Sequence, residues 1–258
     1  MFEDTVSPYT IGTVPYLNAC PLVDWFYTPQ ARAAVSVVDA VPSILSGWID
    51  SGFVDVGLVS TLHAIRHPEY SVVDSVGVAA TGAVESVRLF SKHPLNLIKS
   101  VALDASSNTS NALLKVLLQQ KYNLECSYTS HQPSLSMMLK TCDAALLIGD
   151  NGYEVGDFDG HIYDLGLEWL EWTELPFVYA MWVGRKPLDS TLVERLKVAA
   201  EWGIGHLDEV AKHRAAKHKT TLSRAIHYFT EIMEYELTDE HHAGLKKFAE
   251  CVRSLDNG

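Results

Sequence analysis

Short apolar segments alternate with helical patterns along the first part of the chain. Strands are predicted at residues 9–14, 35–38, 54–59 and 72–78, where apolar and β-branched residues cluster over the length of a strand. A helix is predicted at residues 41–51, because Pro42 suits its first turn and Gly52 suits the position just after its end. Strands separated by helices are typical of βαβ units, so a largely parallel sheet is expected.

A second series of alternating patterns begins after residue 93. A strand with alternating polar and apolar side chains, residues 84–91, is predicted to lead into it. Further strands are predicted at residues 101–103, 124–128, 144–148 and 176–183, with helices at 110–120 and 132–141. From residue 188 onward the pattern is helical, with helices predicted at roughly 190–217, 222–235 and 239–252.

This order of elements predicts an α/β protein of two lobes, each a mixed, mostly parallel sheet flanked by helices. The first lobe is expected to contain residues 1–92 and 182–258, with the C-terminal helices packed on it, and the second lobe residues 93–181. A ligand cleft between the lobes is expected, since such clefts are favoured binding places. The same order also permits one continuous doubly wound sheet with a helical tail.

Composition narrows the kinds of partner. The formal net charge of −12 argues against a nucleic-acid partner, because phosphate backbones are bound mainly by clustered Lys and Arg. No apolar stretch is long enough to span a bilayer, so no membrane partner is expected. The acidic residues 1–4 lack the basic and apolar segments of a secretory signal, and a cytoplasmic location is therefore predicted.

Cysteine and histidine spacing gives no indication of a metal site. No two of the four cysteines form a C-x-x-C pair, which argues against zinc and against a redox dithiol. The adjacent His241 and His242 cannot share a helix face, and His213 and His218 are poorly spaced for chelation. No metal is therefore predicted, and Cys20 is expected to be a small buried residue.

Polar residues follow the first predicted strand in a segment between Pro15 and Pro21. Tyr16 and Asn18 lie in this segment, whose backbone the prolines stiffen. An Asn side chain both donates and accepts hydrogen bonds, so Asn18 could orient a hydroxyl or a carboxylate. Asn is also a preferred N-cap residue, and composition alone slightly favours that structural role.

A cluster of small polar side chains precedes the helix predicted at residues 110–120. It contains Ser107, Asn108, Thr109 and Ser110. The N–H groups and the positive dipole end at a helix start bind an anion without Lys or Arg, which suits an acidic protein. An ordinary capped turn is the alternative, and the lack of the glycines and Lys of a phosphate loop argues against a nucleotide.

Two further polar residues stand near predicted strand ends. Asp150 follows the strand at residues 144–148 and could accept a hydrogen bond from a ligand hydroxyl, although a plain turn explains it almost equally well. Ser86 lacks the G-x-S-x-G surroundings of a hydrolase nucleophile, so it is interpreted as a hydrogen-bond donor to a ligand. In an open α/β sheet, loops after strands open toward one crevice.

Sequence segments that cover residues 9–184 combine into a family pattern. They are TVPYLNACPL at 13–22, DVGLVS at 55–60, SVRLFS at 86–91, TSNALLK at 109–115, LIGD at 147–150, YDLG at 163–166, and Trp169, Thr173 and LPF at 175–177. In this order they resemble the chorismate dehydratases of the futalosine route to menaquinone. The resemblance implies the type II periplasmic-binding-protein fold, which agrees with the two-lobed prediction.

The resemblance also implies an activity: a hydro-lyase that converts chorismate, a dicarboxylate, to 3-[(1-carboxyvinyl)oxy]benzoate without a cofactor. The family's catalytic candidates fall on Asn18, expected to orient the leaving hydroxyl, and Ser86, expected to bind the ring or a carboxylate. The substrate-binding candidates are Tyr16, Ser60, Ser107, Asn108, Thr109, Ser110 and Asp150. No side chain is an evident proton acceptor, and a carboxylate of the substrate could serve.

Two other functions are alternatives. A related enzyme of the same pathway forms dihydroxynaphthoate, but it would carry a catalytic His where this chain has Gly149, Asp150 and Asn151. A solute-binding protein for a small carboxylate shares the fold but is exported, which the missing signal disfavours. Residues 61–64 depart from the acidic-aromatic pair of many relatives, and the C-terminal helices could serve packing or a homodimer.

Overall fold

The computed structural model describes residues 9–32, 35–185 and 187–256, which divide into two compact units. The first unit contains the described chain up to Val78 with residues 180–231 and 235–237. The second contains Ala79–Tyr179, Ile232–Glu234 and the chain from Thr238 onward. The acidic residues 1–4, on which the argument against a secretory signal rests, lie outside the described residues.

The described chain contains both strands and helices. The strands are β1 (Tyr9–Thr13), β2 (Val35–Asp39), β3 (Val56–Ser60), β4 (Ser71–Ala80), β5 (Arg88–Ser91), β6 (Ser100–Asp104), β7 (Ser127–His131), β8 (Ala144–Leu147), β9 (His161–Asp164), β10 (Phe177–Gly184) and β11 (Glu234–Glu236). The helices are α1 (Cys20–Val23), α2 (Pro29–Arg32), α3 (Pro42–Ser51), α4 (Thr61–Arg66), α5 (Asn108–Val116), α6 (Leu135–Thr141), α7 (Gly149–Tyr153), α8 (Leu165–Thr173), α9 (Ser190–Gly205), α10 (Leu207–Arg214), α11 (Leu222–His227) and α12 (Asp239–Asp256).

The first unit is built on a six-stranded sheet with the order β11-β4-β10-β3-β1-β2. Strand β1 runs parallel to β2 and β3, while β10 runs antiparallel to β3. Helix α3 packs closely on this sheet because Gly12 of β1 has no side chain. A Cβ at Gly12 would lie 2.1 Å from Cδ1 of Leu45 in α3. The parallel direction of β1, β2 and β3 brings Thr13, Asp39 and Ser60 to the same edge.

The second unit has a five-stranded sheet with the order β7-β6-β8-β5-β9. Strand β6 is parallel to β7 and β8, whereas β5 is antiparallel to β8 and β9. The register places Arg88, the first residue of β5, opposite Leu147 and Asp164. The start of β5 therefore lies at the edge where β6, β8 and β9 end. The core on this sheet includes Phe90, Ala102, Met138, Ala145 and Leu147.

The predicted α/β class is confirmed, with two mixed sheets flanked by helices. One continuous sheet is excluded for the described strands, because they form two separate sheets. The lobe boundaries at residues 92 and 181 stay a prediction, although β5, which was assigned to the first lobe, pairs within the five-stranded sheet. No helix in the described ranges is long and apolar enough to cross a membrane.

The strand predicted at residues 84–91 is shorter in the structure. It begins only at Arg88, and residues 85–87 form a bend. Glu85 has a φ of 58°, in the left-handed region, which interrupts an extended backbone. Ser86 therefore lies in a bend before the strand, and strand alternation does not set its direction.

The last helix packs differently from the prediction. The sequence placed the C-terminal helices on the first lobe, and α9 does pack on α1 there. Helix α12 instead belongs to the second unit, where Gln120 Nε2 donates to the carbonyl oxygen of Cys251 at 2.9 Å. Gly244 of α12 approaches Pro176 so closely that a Cβ would lie 2.2 Å from its carbonyl oxygen. An amphipathic pattern identifies the buried face of a helix but not the surface that covers it.

The predicted helix at residues 190–217 is broken at His206, whose φ of −130° and ψ of 30° separate α9 from α10. The elements α4, α7, β9, α8 and β11 were not predicted, and β11 begins within the helix predicted at residues 222–235. Each is short, and the polar residues within them hide the apolar periodicity on which the prediction depends.

Helix α9 holds α1 through a close glycine contact, which gives a first test. A Cβ on Gly203 would lie 1.7 Å from the carbonyl oxygen of Pro21, a backbone atom that cannot move aside cheaply. We expect Gly203→Ala to lower the free energy of unfolding by about 1–3 kcal/mol through overpacking, seen as a lower Tm.

The matched control is Gly205→Ala on the same helix, where a Cβ meets nothing within 4 Å. That variant should keep or raise the Tm, because Ala has a higher helix propensity than Gly by up to about 1 kcal/mol. Equal Tm values for the two variants would contradict the proposed α1–α9 contact.

Candidate functional site

The segment after β1 presents Tyr16 and Asn18 from a single 3-10 turn. Tyr16 is extended, with a φ of −111° and a ψ of 148°, and the turn spans Leu17–Ala19. Leu17 and Ala19 are buried and anchor the turn, while Tyr16 and Asn18 are half-exposed. Within the part of the chain that the structure describes, the Asn18 side chain makes no hydrogen bond. The alternative role of Asn18 as an N-cap is wrong, because Tyr16 and Ala19 occupy the cap positions.

Buried polar contacts fix the backbone of the turn at Leu17–Ala19. Sγ of Cys20 donates to the carbonyl oxygen of Tyr16 at 3.6 Å and lies 3.6 Å from Nε2 of His218. The same carbonyl accepts from the backbone N–H of Ala19 at 3.1 Å. Cys20 is 4% exposed, as expected for a buried residue. These contacts fix the backbone on which Asn18 stands.

An ion pair continues this polar layer. Arg214 donates to Oδ1 of Asp24 from Nε at 2.8 Å and from Nη2 at 2.6 Å, and its guanidinium lies 5.1 Å from the ring centre of Tyr27. Burial raises the pKa of Asp24, although Arg214 opposes this shift. Burial and the nearby Asp39 raise the pKa of Tyr27 to about 12, so this hydroxyl stays protonated and donates to Asp39.

Ser60, at the end of β3, has an unusual environment. Its hydroxyl and that of Thr61 are buried and have no hydrogen-bond partner among the described residues. A buried hydroxyl without a partner costs free energy, and this marks a place where a ligand group could supply one. Ser60 therefore remains a candidate for substrate binding.

The segment at residues 61–64 forms the first turn of α4. Its His63 is 8% exposed, and the ring lies 4.4 Å from that of His67 and 5.9 Å from that of Tyr70. Burial, followed by the neighbouring His67, lowers the pKa of His63. A neutral imidazole in an aromatic stack is therefore expected near neutral pH.

In the second unit, the start of β5 places Ser86 beside α7. The β5–β8 register aligns Arg88 with Leu147, so the chain just before β5 lies near the residues that follow β8. Ser86 is 1% exposed, and Gly152 of α7 lies against it so closely that a Cβ would be 2.3 Å from the carbonyl oxygen of Ser86. Ser86 and Asp150 thus belong to one edge of the sheet.

Arg88 fastens α7 to this edge. Its Nε donates to the carbonyl oxygen of Gly152 at 2.9 Å, and its Nη2 donates to those of Gly152 and Val155, the latter at 2.8 Å. Cations are favoured at a helix C-terminus, where carbonyl oxygens have no partner within the helix. Gly149 opens α7 with a φ of 57°, a conformation that suits glycine.

The small polar cluster begins α5, which starts at Asn108. Ser107 is the N-cap, since its Oγ accepts from the N–H of Ser110 at 3.2 Å. The capped-turn alternative is therefore correct for Ser107. Thr109 and Ser110 are buried and Asn108 is exposed. A helix start still directs the remaining first-turn N–H groups outward, so capping and anion binding are compatible.

Below this turn, β6 ends in a buried carboxylate. Oδ1 of Asp104 accepts from the N–H of Ser106 at 2.9 Å and from its hydroxyl at 2.5 Å. Asn111 Nδ2 donates to the Asp104 carbonyl oxygen at 2.8 Å. These bonds fix the loop that carries the predicted binding residues.

Asp164 lies in the family segment YDLG at residues 163–166, but the sequence indicated no role for it. In the structure it ends β9 and caps α8 with hydrogen bonds from Gly166 and Leu167. It also accepts from the backbone N–H groups of Val84 and Glu85. Burial raises the pKa of Asp164, while these backbone bonds oppose the shift. An Asp just before an apolar helix is a recognisable N-cap signal, but the contact with residues 84–85 is tertiary.

Each unit thus contains some of the site residues predicted from the sequence. Ser86, the α5 start and Asp150 meet at one edge of the second sheet, and in the first unit Asn18 and Ser60 follow the neighbouring strands β1 and β3. Among the residues with described positions, no group of three or more His, Cys, Asp or Glu side chains could hold a metal ion. The expectation of no metal stays a prediction.

Solved structures of other proteins show which fold the chain has. The periplasmic aliphatic sulphonate binding protein of Escherichia coli matches with a TM-score of 0.68 at 15% identity, covering 96% of this chain and 87% of that chain. A protein from Archaeoglobus fulgidus matches with a TM-score of 0.78 at 17% identity, covering 97% and 98%. The chain therefore has a periplasmic-binding-protein-like fold, as the sequence predicted.

Sequence comparison gives the family. A family model described as menaquinone biosynthesis matches residues 9–254, and the chain belongs to this family. A chorismate dehydratase from Thermus thermophilus is 32% identical, covering 96% of both chains. A chorismate dehydratase from Campylobacter jejuni is 27% identical, covering 95% of this chain and 98% of that protein. The family resemblance seen in the sequence motifs is confirmed.

The N-cap of α5 gives a second test. Ser107→Ala removes the acceptor for the N–H of Ser110, so the free energy of unfolding should fall by roughly 0.5–2 kcal/mol. Ser107→Asp keeps a cap acceptor and should retain wild-type stability. Chemical denaturation of both variants would measure this, and equal losses for Ala and Asp would contradict the capping role.

Proposed function

We propose that this protein dehydrates chorismate to 3-[(1-carboxyvinyl)oxy]benzoate, an early step of the futalosine route to menaquinone. The observation that carries the proposal is the alignment with two chorismate dehydratases over at least 95% of every chain. The family match over residues 9–254 supports the same pathway. The enzyme class is a carbon–oxygen lyase of the hydro-lyase type.

The chemistry suits hydroxyl and amide side chains. The ring hydroxyl leaves with its C–O bond pair, a ring C–H proton is removed, and the new double bond makes the ring aromatic. Aromatisation supplies driving force, so no redox cofactor is expected. The protein needs to hold two carboxylates and to assist departure of the hydroxyl.

In this proposal Asn18 orients the leaving hydroxyl. The amide of Asn18 is half-exposed and makes no hydrogen bond within the described chain. These two features support the assignment, because an amide that already bonds to the protein has fewer groups left for a ligand. Tyr16 and Ser60 bind the substrate beside it. The unpartnered buried hydroxyl of Ser60 supports this role.

Ser86 binds the ring or a carboxylate, and Ser107, Asn108, Thr109 and Ser110 hold a carboxylate at the α5 start. Asp150 accepts a hydrogen bond from a substrate hydroxyl. The common sheet edge of β5, β6 and β8 supports this grouping. Since Asn and Ser are weak bases, we assign proton removal to a carboxylate of the substrate.

We also propose a cytoplasmic enzyme without a nucleic-acid partner. The net charge of −12 supports the second point, since it disfavours phosphate backbones. A homodimer stays a prediction.

The third test is turnover of chorismate by the purified protein, followed by chromatography of substrate and product. The wild type should convert chorismate to the benzoate ether. Asn18→Ala should lower kcat on the order of 10²-fold, the typical cost of removing one preorganised donor. Ser86→Ala should also lower kcat/KM.

The matched control is Asn96→Ala, since Asn96 is also the middle residue of a one-turn 3-10 helix, Leu95–Leu97, but is exposed and outside the site. It should keep wild-type kcat. Full turnover by both Asn18→Ala and Ser86→Ala would refute the residue assignment. Chorismate binding without product would favour a solute-binding protein, and dihydroxynaphthoate formation from the cyclised futalosine product would favour the related enzyme.

A further inference from the structure

One buried carboxylate connects two segments of the second unit that are distant in sequence. Oδ1 of Asp164 accepts from the N–H of Val84 at 3.0 Å, of Gly166 at 3.0 Å and of Leu167 at 3.2 Å. Oδ2 accepts from the N–H of Glu85 at 2.6 Å. The bonds to Gly166 and Leu167 are an ordinary N-cap of α8, but the bonds to Val84 and Glu85 are not needed for capping.

Those two N–H groups lie immediately before Ser86. Glu85 has a φ of 58°, an unfavourable conformation for a residue with a side chain, which persists only where surrounding contacts enforce it. On the other side of Ser86, the carbonyl oxygen of Val87 accepts from the N–H of Leu165 at 3.0 Å. The chain around Ser86 is therefore held on both sides by residues 164 and 165.

A comparison within the chain shows what is special about Asp164. Asp189 is the N-cap of α9 and likewise accepts from two N–H groups of its own helix, Thr191 and Leu192, and its distant contact is with the Tyr9 side chain. Asp189 has no backbone bonds of the kind that Asp164 makes to Val84 and Glu85 among the hydrogen bonds of the described chain. Capping alone thus leaves half of the Asp164 contacts unexplained.

We propose that Asp164 is a positioning residue for Ser86, holding the left-handed turn at Glu85 so that the Ser86 hydroxyl faces the substrate. The inference deepens the proposed function and rests on it for the role of Ser86. Asp164 itself acts only through the backbone and takes no part in bond breaking.

The test uses Asp164→Ser, because Ser is a preferred N-cap that retains α8 but is too short to reach both Val84 and Glu85. We expect kcat for chorismate to fall by about tenfold to 10²-fold, since small misplacements of a catalytic group have effects of this size. Asp189→Ser is the matched control and should leave kcat unchanged, with at most a lower Tm.

A double-mutant cycle separates positioning from a general structural defect. In a Ser86→Ala background, Asp164→Ser should cause no further loss of kcat, because its effect passes through Ser86. An equal loss in both backgrounds, or an unchanged kcat for Asp164→Ser in the wild-type background, would overturn the inference. If Asp164→Ser fails to fold, Asp164→Asn replaces it in the same cycle. This variant keeps the side-chain size but can place an amide donor, instead of an acceptor, against the N–H of Glu85.

Backbone hydrogen exchange gives a readout that does not depend on turnover. Exchange at residues 84–87 should be faster in Asp164→Ser than in the wild type, and unchanged in Asp189→Ser. Wild-type protein that does not turn over chorismate would refute the proposed function but not this contact. Unchanged exchange at residues 84–87 in Asp164→Ser would refute the positioning role in either case.

Discussion

The antiparallel pairing of β5 with β8 and β9 determines where the polar residues of the second unit meet. A parallel strand in that position would start at the opposite edge of the sheet, far from the ends of β6 and β8. Because β5 runs the other way, Ser86 precedes it at the edge where Asp104 ends β6, Asp164 ends β9 and Asp150 follows β8. The strand pairing therefore brings Glu85 and Asp164 into contact, although 79 residues separate them along the chain.

Both units hold the backbone beside their candidate site residues with buried polar contacts. In the first unit, Cys20 and His218 hold the backbone of the Asn18 turn, and the Arg214–Asp24 ion pair lies in the same layer. In the second, Asp164 holds the bend at Ser86. Satisfied buried networks of this kind fix geometry, because the low local dielectric makes every misaligned bond costly.

The fold and the family carry different information. A periplasmic sulphonate binding protein shares the fold at 15% identity, and a fold by itself does not specify chemistry. The family match rests on the sequence, and the residues proposed to carry the activity are an amide and a hydroxyl, Asn18 and Ser86. A scaffold known from ligand capture is suited to dehydration because the reaction requires orientation of a dicarboxylate more than a strong nucleophile.

The sequence by itself determined the α/β class, most strands, the family and the candidate residues, because apolar periodicity and short motifs are local properties of the chain. It also left a capped turn open as an alternative before the 110–120 helix, which the structure assigns to Ser107, but composition slightly favoured the wrong role for Asn18. Only the tertiary structure decided that Glu85 bends the chain before Ser86, that α12 packs in the second unit, and that Asp164 reaches residues 84–85. These features depend on which surfaces and backbone groups meet across long sequence separations, and no local pattern encodes such pairings.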